Sequence, residues 1–235
     1  MKTNRLGETK MMSCGMKATI IKYKNYRNIR VRFEDGYEVN NRYDHFIKGA
    51  INNPYVPSVL GVGYIGDTKI DKKSHKVWSS MLSRCYNKNF QEREPSYKGC
   101  KVCDEWLCYA NFKMWYNENI YEIENENIQL DKDILVKNNK VYSPDTCIFV
   151  PNNINILFTS SNKGLPLGVF YNKENKKYKV LIKSKFIGYF NTIEEAEKQY
   201  NIAKYEYIKE VAEEYKYKIP DKLYNRLIEI SNKIN

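Results

Sequence analysis

The fold is best predicted from residues 168–190, which read GVFYNKENKKYKVLIKSKFIGYF. Three short runs in this stretch, at residues 168–171, 177–182 and 185–190, predict β-strands. They are joined by turns at residues 172–176 and near Ser184. Asn191 or Thr192 then caps a helix whose first turn is rich in Glu, which suits a helix N-terminus. The stretch predicts a three-stranded antiparallel sheet backed by one helix.

This unit resembles the DNA-binding domain of the plant ethylene-response factors, the APETALA type. The resemblance covers about residues 166–210 and has four parts, in the same order as in that family. They are Gly168-Val169-Phe170-Tyr171, Tyr178-Lys179-Val180, Ile187-Gly188-Tyr189-Phe190-Asn191-Thr192, and Glu194-Glu195-Ala196 with Tyr200 and Ala203. In that family the sheet lies in the DNA major groove, so the resemblance implies that this sheet does the same.

The resemblance also implies which side chains would reach DNA from the outer face of the sheet. They are Tyr171, Lys173, Lys177, Lys179, Lys183 and Lys185. The family relies on Arg for its base contacts, whereas this stretch carries only Lys. Lys offers a point charge instead of a bidentate fork, so we expect weaker discrimination between sequences.

The charge of the chain is concentrated at its two ends. The formal net charge is +11, and counts give +6 for residues 1–60, zero for 61–160 and +5 for 161–235. Residues 168–190 alone hold six Lys and one Glu. A localised basic stretch with interleaved Tyr and Phe favours a nucleic-acid partner. The alternative is a general Lys bias of the source proteome, which would carry no function.

The N-terminal segment predicts a second small antiparallel sheet. Residues 16–40 alternate apolar and polar side chains, and Glu34-Asp35-Gly36 is typical of a hairpin turn. Arg30 and Arg32 are two residues apart on one strand, so they share one face. Contact with DNA phosphates and docking onto an acidic protein are both open for this basic face.

The centre of the chain predicts helices at residues 75–90 and about 104–120, then strand, loop, strand and helix. Three pieces carry a resemblance to the ββα-metal core of His-Asn-His homing endonucleases, which occur in phages. They are Leu130-Asp131-Lys132-Asp133, then Tyr142-Ser143-Pro144-Asp145-Thr146-Cys147, then a helix with Asn152, Asn153 and Asn155. The resemblance implies that Asp131 and Asn155, with Asp133 as a further candidate, bind a divalent metal such as Mg²⁺.

The catalytic histidine of that family corresponds to Lys132 here, so the core is degenerate. Lysine has an ordinary pKa of about 10.4 and is a poor base at neutral pH. The chain has only two histidines, His45 and His75. Three interpretations stay open: Lys132 stabilises charge on a phosphate, a histidine folds in from elsewhere, or the core is a scaffold that does not cleave.

Two of the six cysteines have the spacing of a zinc knuckle. These are Cys100 and Cys103, which would be the ligands of a Zn²⁺ ion. A matching second pair is missing, so reduced thiols are the commoner outcome and zinc is not expected.

Together these patterns predict an α+β protein of three parts. They are a basic β module at 1–60, a ββα core with flanking helices at 61–160, and the DNA-binding sheet with its helices at 161–235. We expect a phage-type protein that binds double-stranded DNA, is related to His-Asn-His endonucleases and has impaired or lost cleavage. Two alternatives are an active Mg²⁺-dependent nicking endonuclease and an inhibitor that binds a host defence protein. No apolar run is long enough for a membrane span, so we expect the cytoplasm of a bacterial host cell.

Overall fold

The predicted α+β class is confirmed by a computed structural model of the protein, which describes residues 5–158 and 165–232. By its internal contacts the chain divides into two units, Met1–Tyr116 and Asn117–Asn235. The predicted boundary at 160/161 lies outside the described residues. Independent folding of the three predicted segments stays a prediction.

The first unit begins with a four-stranded antiparallel sheet, as predicted for the N-terminus. Its strands occur in chain order, and helix α1 (Tyr43–Ile47) follows the last of them. They are β1 (Thr9–Met11), β2 (Lys17–Asn25), β3 (Asn28–Phe33) and β4 (Glu38–Asn41). In β3, Ile29, Val31 and Phe33 are buried while Arg30 and Arg32 are exposed, so strand alternation separates core from solvent.

The rest of the first unit is mainly helical. It contains α2 (Lys72–Tyr86), α3 (Lys88–Arg93), a 3₁₀ turn (Pro95–Tyr97), β5 (Lys101–Val102), α4 (Asp104–Leu107) and α5 (Tyr109–Asn119). The helix predicted at 75–90 is two helices because Asn87 leaves the helical conformation and caps α3 by accepting from the Phe90 N–H. Trp78 and Trp106 are fully buried, and the Trp78 indole donates to the Trp106 carbonyl at 2.7 Å.

The second unit opens with the strand, loop, strand and helix that the sequence predicts. β6 (Ile128–Asp131) pairs antiparallel with β8 (Ile148–Pro151), and the short strand β7 (Val141–Tyr142) lies between them in the chain. Helix α6 (Asn152–Asn155) follows directly and continues into a 3₁₀ turn (Ile156–Phe158).

The C-terminal sheet and its helix are also confirmed. β9 (Val169–Asn172), β10 (Lys177–Ile182) and β11 (Lys185–Phe190) form an antiparallel sheet with β10 in the centre. Helix α7 (Ile193–Tyr215) follows, and helix α8 (Asp221–Ser231) ends the described chain. Thr192 caps α7 in a capping box with Glu195.

Two apolar cores fix these elements. The first half of α7 covers the sheet, where Val169 and Val180 pack with Ala196 and Tyr200. The second half of α7 shares a core with β8, α6 and α8, formed by the buried residues Ile148, Val150, Ile154, Ile208, Val211, Leu223 and Leu227 among others. Helix α7 therefore joins the sheet and the ββα segment in one unit.

Candidate nucleic-acid interface

The strand register shows which residues lie on the outer face of the C-terminal sheet. Lys179 in the central strand is paired with Phe170 of β9 and with Tyr189 of β11. Directly paired residues of an antiparallel sheet project from the same face, so these three side chains form one row across the sheet. Val180 and Val169 are paired one residue further on and point the other way, into the core under α7.

Three exposed aromatic side chains surround Lys179 on this face. Phe170, Phe186 and Tyr189 are 53%, 51% and 40% exposed. The Lys179 Nζ lies 5.9 Å from the centroid of the Phe186 ring, which in turn is 5.2 Å from the Tyr189 ring. We call Phe170, Lys179, Phe186 and Tyr189 the outer-face cluster. The family resemblance gives no role to the three aromatic residues, and only the strand register shows that they share the face of Lys179.

The other predicted lysines flank this cluster. Lys177 precedes Lys179 by two residues and shares its face, while Lys173 is exposed in the β9–β10 turn. Lys183 and Lys185 are exposed at the β10–β11 turn, where Lys183 has a φ of 46°. Within residues 5–158 and 165–232, no ion pair involves any of these five lysines. Their charges are therefore available to an anionic partner.

Tyr171 lies on the face opposite to the predicted one. It is paired with Tyr178, which is two residues from the inward-facing Val180, and the Tyr171 and Tyr178 rings are 5.3 Å apart. It is still 48% exposed, because β9 is an edge strand. The structure brings Lys177 and Lys179 together on the outer face but does not place Tyr171 with them.

The two predicted arginines of the N-terminal sheet share one acidic partner. The Arg30 Nε lies 2.8 Å from Glu38 Oε2, and the Arg32 Nη2 lies 2.6 Å from Glu38 Oε1. Both guanidinium groups stay about half exposed, and Lys22 is paired with Arg30 on the neighbouring strand. Glu38 neutralises part of this charge, so the face is less basic than the sequence pattern alone suggests.

Lys132, which the resemblance matches to a catalytic histidine, is buried. Its ammonium donates to Asp133 Oδ2 at 2.6 Å and to the Asn139 carbonyl at 2.7 Å, and it lies 5.9 Å from the centroid of the Tyr142 ring. The Asn139 amide donates back to the Lys132 carbonyl at 3.0 Å. These contacts close the loop between β6 and β7 on itself and occupy the ammonium group.

Asp131 supports the same loop through the backbone. Its Oδ1 accepts from the N–H groups of Asp133 and Ile134, both at 2.7 Å. Burial raises the pKa of Asp131 above its ordinary value, and these two hydrogen bonds only partly offset the effect. By accepting from these two N–H groups, the Asp131 side chain stabilises the turn that follows β6.

Asn155 is directed to Gln129 rather than to Asp131. Its amide donates to Gln129 Oε1 at 2.8 Å, and the Gln129 amide donates to Asn152 Oδ1 at 3.0 Å. In the described part of the chain, no group of three or more His, Cys, Asp or Glu could hold a metal ion. A Mg²⁺ site needs several oxygen ligands converging on one point. Asp131 and Asn155 have other hydrogen-bond partners in the structure, and their Mg²⁺ role stays a prediction.

The zinc-knuckle pair forms part of the protein interior. Cys100 is buried and Cys103 is half-buried, and all six cysteines are free thiols. Burial raises the pKa of the Cys103 thiol, which disfavours the thiolate that zinc requires. The histidines also make local contacts: His45 is hydrogen-bonded to Asn41, and His75 packs between the rings of Trp78 and Tyr109.

Among the described residues, no helix has both the length and the apolar character needed to cross a membrane.

Comparison of the chain with protein-family models, with curated proteins and with solved structures gave no match.

Proposed function

We propose that the protein binds double-stranded DNA through the outer face of its C-terminal sheet. The observation that carries the proposal is a set of five lysines on and around that face, which form no ion pair within the described chain. Lys179 is half-buried among the aromatic rings, and the exposed members are Lys173, Lys177, Lys183 and Lys185. In the ethylene-response-factor family that this unit resembles, a three-stranded sheet lies in the major groove, and in that arrangement the lysines can reach the phosphates on either side. The N-terminal face with Arg30 and Arg32 adds a second, weaker basic surface.

This proposal predicts binding that depends steeply on salt. Five lysine–phosphate contacts would release about five counterions, so affinity should fall about 10²- to 10³-fold between 50 and 200 mM salt. Fluorescence anisotropy with a labelled 20-base-pair duplex measures this dependence. Absence of binding at 50 mM salt would refute the proposal, and so would an affinity that is insensitive to salt.

We also propose that the protein is a phage-type relative of the His-Asn-His homing endonucleases that has lost cleavage. The contacts of Lys132 support this interpretation, because its ammonium is committed to Asp133 and Asn139 and cannot activate water. The order strand, loop, strand and helix supports the relationship. Incubation of supercoiled plasmid with the protein and Mg²⁺ should leave it intact. Nicking that disappears in the Asp131→Ala variant would show an active nuclease instead.

A further inference from the structure

The centre of the outer face is apolar, although the surface around it is basic. Phe170, Phe186 and Tyr189 expose between 40% and 53% of their surface, and Leu181 is paired with Phe186 on the same face. Soluble proteins rarely leave several large aromatic side chains together in water unless a partner covers them. The partner of this face must therefore offer apolar groups as well as phosphates.

The same face has few side chains that recognise bases by paired hydrogen bonds. Residues 168–190 contain no Arg or Gln, and their lysines offer guanine a point charge instead of the bidentate fork of arginine. Asn172 could recognise adenine, but its Oδ1 accepts a hydrogen bond from the Asn175 N–H at 3.0 Å and supports the turn. The aromatic side chains can therefore add discrimination between base pairs that the lysines supply only weakly.

The major groove offers one apolar group to such side chains, the C5-methyl of thymine. The row of Phe170, Lys179 and Tyr189 spans all three strands, so a groove-bound sheet would present an aromatic ring on each side of Lys179. The Lys179 ammonium lies 5.9 Å from the Phe186 ring, so a charged group that can reach a phosphate accompanies the apolar contact.

We propose that Phe170, Phe186 and Tyr189 recognise thymine methyl groups, so that the protein prefers duplexes with thymine in the contacted groove. This inference rests on the proposed duplex binding. It makes the three aromatic residues the specificity determinants and the lysines the source of most of the affinity.

The direct test changes only the methyl group. Binding is measured for two 20-base-pair alternating duplexes, one of adenine and thymine and the other of adenine and uracil on a deoxyribose backbone. Removal of each methyl group that an aromatic ring covers should weaken binding about fourfold, which corresponds to one buried methylene group. An alternating sequence avoids the narrow minor groove of A-tracts, whose shape could be recognised separately.

The converse test adds the same group to G·C pairs. An alternating guanine–cytosine duplex should bind more tightly when every cytosine carries a C5-methyl. In the Phe186→Ala variant both methyl effects should shrink, whereas exposed Lys209→Ala on α7 should leave them unchanged.

These outcomes separate the two proposals. Equal affinity for the thymine and uracil duplexes, with normal salt-dependent binding, would overturn the methyl inference and leave duplex binding intact. Tighter binding to a 20-base single strand that cannot pair with itself than to the duplexes would also overturn it, because it would indicate base stacking on the rings. No binding to any duplex would refute the proposed function itself.

Discussion

The ammonium of Lys132 lies 2.6 Å from Oδ2 of its neighbour Asp133, and both side chains fold back over the loop that follows β6. Lys132 is 5% exposed, whereas the Asp133 side chain is 49% exposed. The ion pair therefore reaches from the interior to the surface. The same ammonium also donates to the Asn139 carbonyl, so Lys132 holds the start and the end of the loop between β6 and β7 together.

Replacement of Lys132 by Met should destabilise the protein. Met matches most of the lysine volume but removes two charge-assisted hydrogen bonds and leaves the Asn139 carbonyl without this donor. We expect the free energy of unfolding to fall by about 2 kcal/mol. Urea denaturation measures the change, with Lys209→Met on the exposed surface of α7 as the control. A Lys132→Met variant as stable as the wild type would contradict the structural role.

Asp131→Asn should stabilise the protein at pH 7. The amide oxygen can still accept from the Asp133 and Ile134 N–H groups, while the cost of burying a charge disappears. Because the pKa of Asp131 is raised in the folded state, the wild type carries this cost above that raised pKa. The cost vanishes as the pH falls toward about 3.9, the ordinary value for Asp.

The advantage of the Asn variant should therefore shrink between neutral and acidic pH. Thermal denaturation of the two proteins from pH 7 to pH 4 follows this difference. If Asp131→Asn is instead less stable at pH 7, the negative charge itself stabilises the loop and the burial argument is wrong.

The C-terminal sheet was predictable from sequence because its signals agree. The three short strand-like runs, the turn at 172–176 and the acidic start of α7 all favour the same unit. What sequence did not reveal is the phase of β9: Phe170 and Tyr171 are both aromatic, so only the pairing of Phe170 with Lys179 shows which one faces outward. A one-residue difference in register reverses the two faces.

The side-chain contacts of the candidate site were harder to predict, because they join residues that lie on different strands or helices. Nothing in the spacing of Arg30, Arg32 and Glu38 indicates that one carboxylate binds both guanidinium groups across two strands. Likewise, the family resemblance implied a shared metal site for Asp131 and Asn155, whereas the Asn155 amide donates to Gln129 in the structure. The hydrogen-bond or ion-pair partner of such a side chain depends on strand register and burial, and residue spacing determines neither.

Glu38→Gln should strengthen DNA binding if the N-terminal sheet contacts phosphates. The substitution releases Arg30 and Arg32 from their shared carboxylate and raises the net charge of that face by one, because it removes a negative charge. We expect about threefold tighter binding at 50 mM salt and a smaller gain at 200 mM salt, where screening is stronger. Anisotropy titration with a labelled duplex provides the measurement.

A matched control for this variant is Glu34→Gln. It removes the same charge from the adjoining exposed turn without releasing an arginine. Equal affinity changes for the two variants would reflect net charge alone and would argue against a specific role for Arg30 and Arg32.

Gly168→Ala should disrupt the C-terminal sheet. Gly168 has a φ of +75°, and a Cβ there would overlap the Tyr200 ring and the Leu181 carbonyl oxygen. Left-handed strain and overpacking together should lower the free energy of unfolding by about 3 kcal/mol. Gly188→Ala is the comparison, because its Cβ would meet only the Phe190 ring at 3.0 Å. Chemical denaturation that shows similar losses for both variants would contradict this packing account.

The central claim, DNA binding by the outer face of the C-terminal sheet, is tested most directly by the salt dependence of affinity in a lysine variant. Lys177 and Lys179 share the outer face, so Lys177→Ala/Lys179→Ala should lower the slope of log affinity against log salt by about 2. Lys209→Ala should leave the slope unchanged. An unchanged slope in the double variant, or the same loss in Lys209→Ala, would contradict the claim.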